Sequence, residues 1–257
     1  MIHKTTRSIL SVLLAALLLI ASIPLTPAFA GGGGAVSLQS ESGESEGLKQ
    51  DGDGVYQIAT AEELRAFAEK VNGGETDADA VLTDDINLSD QPWYPIGSDS
   101  RYSGNFNGDG HTISGLNIKN TSSDTDCQGL FGYVGSSGKI ENLSVSGSVS
   151  GNNYVGGVVG DNGGTVKNCD FSGSVSGSDH VGGVVGDNSG SVTNSYNTGS
   201  VNGSIEAGGV VGHNGGNVEN CYNIGEVSGN YVGGVVGYNR GPVKKLLQHR
   251  QGHRHPH

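Results

Sequence analysis

Short apolar runs separated by glycine, asparagine, aspartate and serine follow one another along this chain, and from residue 154 to 244 they repeat. Four segments align: Tyr154-VGGVVGDNGGTVKNC-Asp170, His180-VGGVVGDNSGSVTNS-Tyr196, Glu206-AGGVVGHNGGNVENC-Tyr222 and Tyr231-VGGVVGYNRGPV-Lys244. The asparagines just beyond each Gly-Val-Val-Gly run are Asn162, Asn188, Asn214 and Asn239, in steps of 26, 26 and 25 residues. A degenerate copy runs from Gly129-Leu-Phe-Gly132 through Ile140-Glu-Asn-Leu143. A fixed period of this length marks a repeat architecture.

Each copy holds three β-prone pieces, in the second copy Val181–Val185, Ser191–Tyr196 and Ser200–Asn202, with turn-forming residues between them. Such short strands cannot build a core alone. Stacked as rungs about 4.8 Å apart, they bury their inward side chains against one another. The pattern therefore predicts an all-β fold, a right-handed parallel β-helix, over residues 129–244. The Val pairs 158/159, 184/185, 210/211 and 235/236 suit a narrow interior. Gly157, Gly183, Gly209 and Gly234 suit a bend or a close backbone approach. Asn168, Asn194 and Asn220 recur in register with the asparagines at 162, 188, 214 and 239, and stacked amides can satisfy buried polar atoms at corners. Cys169 and Cys221 share one repeat position, with Ser195 between them. Two rungs, about 9.6 Å, exceed the roughly 7 Å reach of a disulfide, so they read as small ladder residues.

Ahead of the repeats the pattern changes. Thr60-Ala-Glu-Glu63 is a capping box, and Leu64, Phe67, Ala68 and Val71 fall on one helical face that ends at Gly73-Gly74. A short helix placed over the open first rung would shield its edge, so residues 55–128 read as helical cap and irregular first rungs, with strands over 81–88 and 112–118.

The N-terminus changes the picture more. Lys4 and Arg7 precede an apolar run from Ile9 to Ile23 and an Ala28-Phe29-Ala30 site, which predicts a signal peptide over residues 1–30. The run is short for a membrane span, and no later run is long enough for one, so the expectation is a secreted or cell-surface protein. Residues 31–54, rich in Gly, Ser and Glu, read as a disordered linker. The whole chain carries a net charge of −12; without Lys4 and Arg7 it is −14, which argues against nucleic acid as a partner.

The search for chemistry is mostly negative. No His-Glu-x-x-His is present, and the Gly-rich runs repeat on every rung, as structural turns do. The best enzymatic pair is Asp161 and Asp187, at equivalent positions one rung apart and followed there by His213 and Tyr238. Neighbouring carboxylates could share acid and base roles in a carbohydrate-active β-helix. The plainer reading makes each Asp-Asn a turn pair. A sparse acidic turn could hold Ca²⁺ weakly; no other cofactor or metal site is expected.

The repeat is similar to the GLUG motif, with its Gly-Gly-Val/Leu-Val-Gly, Asn, Gly, Val/Ile, Asn and Ser/Cys-Tyr order. The stretch from Gly104 to Leu116 resembles the segment that often precedes such repeats. That resemblance, over about residues 55–243, implies an adhesin-like bacterial surface scaffold with glycans or proteins as partners. It equally fits a non-catalytic region of an IgA-cleaving metalloprotease.

Beyond Lys244 the pattern stops. Residues 245–257, with His249, His253, His255 and His257, share nothing with the repeat. Back-translated with suitable codons and shifted by one base, they read Asn-Cys-Tyr-Asn-Thr-Gly-Lys-Val-Thr-Gly-Thr-His, the absent half of the repeat. A single-base insertion near Lys244-Lys245 is therefore expected, with further domains beyond it.

Overall fold

The computed structural model describes residues 47–119 and 126–248. The predicted leader, residues 31–46 of the linker and residues 249–257 of the tail lie outside the described residues.

The described residues form a parallel β-solenoid of about seven turns with one short helix. The stacking is clearest in one column. Tyr56, Ala80, Phe106, Ile140, Val166, Val192, Val218 and Val243 are successive register partners in parallel strands. All of these residues are buried apart from Val243 on the last rung. Each buried side chain of this kind contributes roughly 1.5–3 kcal/mol.

Three sheets of 16, 5 and 4 strands wrap the interior, all paired in parallel except for one antiparallel strand at the first edge. One difference from the sequence pattern concerns the glycine pairs. Val181–Val185 is two strands, Asp179–Gly182 and Val185–Asn188, which belong to different sheets. The chain folds back at Gly183-Val184, forming a tight arch. A Cβ on Gly182 would overlap the Val185 carbonyl oxygen, so the limbs approach backbone to backbone, which only glycine allows. The apex presses on the large sheet, where a Cβ on Gly183 would overlap Asn197 Cγ and the Gly209 carbonyl oxygen. Both valines of each pair up to Val211 are fully buried, so neither alone points inward.

The large sheet bends at Asn142, Asn168, Asn194 and Asn220, all left-handed with φ of 52–56°. Asparagine tolerates that conformation better than most residues. The early rungs are continuous across the bend (Lys139–Ser150, Thr165–Gly177), whereas the next breaks into Ser191–Thr193, Tyr196–Asn197 and Ser200–Gly203.

Helix α1 (Ala61–Asn72) has the expected capping box. Glu63 N donates to Thr60 Oγ1 at 3.2 Å, and Thr60 N donates to Glu63 Oε2 at 3.0 Å. Its apolar face buries Leu64, Phe67, Ala68 and Val71. Phe67 meets Tyr56, Tyr102 and Phe106 at ring separations of 5.7, 6.1 and 6.0 Å, filling the first turns with aromatic volume. Within the segment read as linker, Lys49–Gln50 pair antiparallel with Tyr56–Gln57 and cover that edge. The strand expected over 81–88 is split into Ala80–Leu82 and Ile86–Asn87, while Thr112–Lys119 runs as expected.

Candidate functional site

Inside the solenoid the repeated polar positions form amide ladders. Asn162 Nδ2 donates to Asn188 Oδ1 at 2.8 Å, Asn188 to Asn214 at 2.7 Å and Asn214 to Asn239 at 2.7 Å; all but the last residue are buried. Asn168, Asn194 and Asn220 also form a ladder, at 3.1 Å per step and continued from Asn168 to Asn142 at 2.8 Å, but on the outside. The left-handed bend turns them to solvent, so the expectation that they satisfy buried atoms is corrected. The ladder missed in the sequence is Asn197–Asn223, buried at 2.9 Å, with each amide also holding the turn two residues on. Of the glycines, Gly157 faces the Phe171 ring, Gly183 and Gly209 face Asn197 and Asn223, and the Gly234 carbonyl lies against Gly209. Cys169 and Cys221 are free and buried, and burial pushes their thiols up to about 12 and about 11.

The chemistry lies outside, at the mouth of the arch, in two neighbouring columns. One is Tyr133, Asp161, Asp187, His213 and Tyr238, joined rung to rung by strand register. Asp161 and Asp187 are thus paired as expected. The other is Cys127, Tyr154, His180 and Glu206, all left-handed with φ of 51–58°. Such a backbone costs on the order of 1–3 kcal/mol at residues of these types. The column gives Cys127 a place that the sequence did not: it is the degenerate copy's corner residue.

The columns interlock. His213 Nδ1 lies 2.8 Å from Asp187 Oδ2, and His180 Nδ1 lies 3.1 Å from the same oxygen. His180 Nε2 is 3.0 Å from Glu206 Oε2 and 3.8 Å from Asp179 Oδ1. The two imidazoles stack at 4.6 Å and 13°, between Tyr154 at 4.9 Å and Tyr238 at 5.4 Å. Burial disfavours the His180 cation, but Asp187, Asp179 and Glu206 outweigh it and raise the pKa. Burial likewise opposes the Asp187 anion, yet His180 and His213 hold its carboxyl below the ordinary value. Asp161 goes the other way. Burial raises it, the charge of Asp187 adds to that, and Arg101, 3.6 Å away, only partly compensates. Cys127 is pushed up to about 12 by burial, which makes it a protonated, unreactive thiol at neutral pH. His180 and Glu206 were not singled out from sequence; the fold-back of the arch brings His180 to Asp187, and rung stacking brings Glu206 to His180.

Fold and surface define a parallel β-solenoid built from a short glycine-rich repeat. The GLUG motif family matches that repeat at residues 151–176 and 203–228. Halomucin of Haloquadratum walsbyi is 35% identical over 123 residues, 44% of this chain but 1% of its own length. A candidate Gly-rich membrane protein of Evansella cellulosilytica is 32% identical over 126 residues, 42% of this chain and 14% of its own. Among solved structures, a Bacteroides ovatus protein described as a candidate immunoglobulin A1 protease has the same fold. Its TM-score is 0.58 at 21% identity, over 75% of this chain and 66% of that one. The chain thus spans only a small part of its curated relatives.

Proposed function

We propose that this chain is an exported, non-catalytic repeat scaffold that works at a cell surface and adheres through its outer side chains to glycans or proteins. The observation that carries the reading is the contrast between inside and outside. Interior columns keep valine, glycine and asparagine from rung to rung, as a structural repeat must. At the arch mouth the residue changes at almost every step, through Tyr133, Asp161, Asp187, His213 and Tyr238. A rigid rod with a varied outer ribbon presents contacts. The match to the GLUG motif and the membrane-protein name of one relative agree with that role. Among the described residues no helix is long and apolar enough to cross a membrane. The test is to compare cells that produce the chain with cells that lack it. Surface labelling with antibody and binding to immobilised glycans and proteins should both depend on the chain. Retention of the chain inside the cell, or equal binding by both strains, would overturn the proposal.

A second reading, a polysaccharide-cleaving site, draws on one observation: Asp161 is displaced upward and Asp187 downward, as an acid and a base need to be. Turnover of an acidic polysaccharide that vanishes in both Asp161→Asn and Asp187→Asn would establish it. A third, the spacer of a larger surface protease, is decided by resequencing the locus around Lys244-Lys245 and reading the frame beyond it.

A further inference from the structure

Of the carboxylates around His180, Asp179 Oδ1 accepts from His180 N at 2.9 Å and Asp187 Oδ2 faces His213 Nδ1 at 2.8 Å, which leaves Glu206 without a hydrogen-bond explanation. Glu206 Oε2 and His180 Nδ1 are both buried atoms without a hydrogen bond of acceptable geometry, although each has an oppositely natured atom about 3 Å away. Asp179 and Glu206 form ion pairs only with His180 among the described residues. Arg240, whose charge reaches Glu206, is held 5.2 Å over the Tyr238 ring. Two acids thus converge on one imidazole nitrogen at a half-buried corner.

The geometry points to a divalent transition-metal site, with His180 Nε2, Glu206 and Asp179 as ligands and Asp187 as the partner that orients the imidazole. The three donor atoms lie within 4.8 Å of one another. Two ligands of one Zn²⁺ ion sit about 3.0–3.4 Å apart, given metal–ligand bonds of about 2.1 Å. His180 Nε2 and Glu206 Oε2, at 3.0 Å, already meet that spacing, and Asp179 at 3.8 Å needs a small side-chain adjustment. One imidazole and two carboxylates suit Zn²⁺ or a similar ion better than a hard cation that prefers oxygen alone. The other ring nitrogen lies 3.1 Å from Asp187, where metal-bound histidines commonly carry a carboxylate, and a small turn of the ring would align that contact as a hydrogen bond. His213 in turn steadies Asp187 at 2.8 Å.

A rival set, His180 Nδ1 with Asp187 and His213 Nδ1, also has its donors within 4.8 Å. It is less suitable. The two rings lie 13° from parallel and are stacked, so one ion cannot occupy both ring planes, where the nitrogen lone pairs point.

Zn²⁺ itself is the probe, and the protein is the full-length chain. Because a histidine-rich tract binds metal on its own, the parent carries His249→Ala, His253→Ala, His255→Ala and His257→Ala. Competition with a chromophoric chelator should show one Zn²⁺ per chain. Glu206→Gln and Asp179→Asn should each weaken it by on the order of 100-fold or more, and Asp187→Asn by about 10- to 100-fold. His213→Gln should have a smaller effect than Glu206→Gln. Zn²⁺ should raise the Tm of the parent and not that of Glu206→Gln. Glu206→Gln keeps the side chain's shape, so a folded variant is available even if substitution of His180 prevents folding. The inference is overturned if the parent shows no saturable binding, or if Glu206→Gln and Asp179→Asn both bind as the parent does. Loss on His213→Gln equal to that on Glu206→Gln would move the site to the rival set and overturn the assignment.

Discussion

Single atoms decide the repeat at its glycines. Gly183 sits between the Asn197 amide and the Gly209 carbonyl, both within overlap distance of a Cβ. Gly183→Ala should therefore cost about 3 kcal/mol through forced displacement. Gly52→Ala, with nothing within 4 Å, should change stability by less than about 0.5 kcal/mol. Urea denaturation of the two variants checks the contrast, and equal midpoints would refute the arch packing. Charge at the arch mouth makes a second residue-scale prediction. His180 has a raised folded pKa, so its contribution is complete below the unfolded value of about 6.5 and is lost as pH rises through the folded value. Asp187 has a lowered one, so its contribution is present above about 3.9 and lost as pH falls through the folded value. Their contact stabilises most between those limits. Asp161, raised, has the opposite sense: its ionised form is disfavoured by folding at neutral pH. Thermal melts at pH 6 should show Asp187→Asn destabilised and Asp161→Asn unchanged or more stable. The reverse order would contradict the assigned environments.

At the scale of elements, α1 is held by its cap and by one aromatic ring. Thr60→Ala removes the acceptor for Glu63 N and should cost about 1 kcal/mol. Phe67→Ala opens the Tyr56–Tyr102–Phe106 cluster and should cost roughly 3–5 kcal/mol. Equal losses from the two, measured by chemical denaturation, would mean that the helix does not seal the first turn. Both features were readable in the chain, because a capping box and a 3.6-residue apolar stripe are local signals. The stacking of rungs was readable for a different reason: an exact repeat forces equivalent residues into one column. The arch was half readable: the glycine pairs signalled a bend or a close backbone approach, but not a full reversal between two sheets. Gly-Gly-Val-Val inside an apolar run looks like one strand, and its reversal depends on what the glycines meet across the turn. The same reversal hid His180, which lies seven residues from Asp187 in sequence and meets it only once the limbs close, and Glu206 joins them through His180 on the neighbouring rung. A signal existed, since titratable residues flank the Gly-Gly-Val-Val-Gly run on both sides in the second and third copies. The buried Asn197–Asn223 ladder was hidden because the rung before it has Phe171 in that place.

In the whole molecule, each rung touches mainly its neighbours, so stability is close to a sum of adjacent interfaces and need not be uniform. The two ends differ in what they bury. The first turns interlock Tyr56, Phe67, Tyr102, Phe106 and Phe131, with Tyr102–Phe131 and Phe106–Phe131 ring separations of 5.4 and 5.2 Å. The last described rung has Tyr231 68% exposed, Val232 50% and Leu247 73%. It also has Lys245 at φ 51°, in the corner that asparagine occupies on the preceding rungs, at a cost on the order of 1–3 kcal/mol. Opening should therefore begin at that end and progress rung by rung toward the aromatic turns, at free energies below that of global unfolding. Native-state hydrogen exchange reads this directly. Amides of Val236–Asn239 and Val243–Lys244 should exchange fastest among the strands, those of Val211–Asn214 more slowly, and those of Phe131–Val134 slowest, with Gly183→Ala accelerating the rungs beyond it more than the aromatic turns. Protection that is uniform from Phe131 to Lys244 would show the solenoid unfolding as one unit, and the nearest-neighbour account of its stability would then fail.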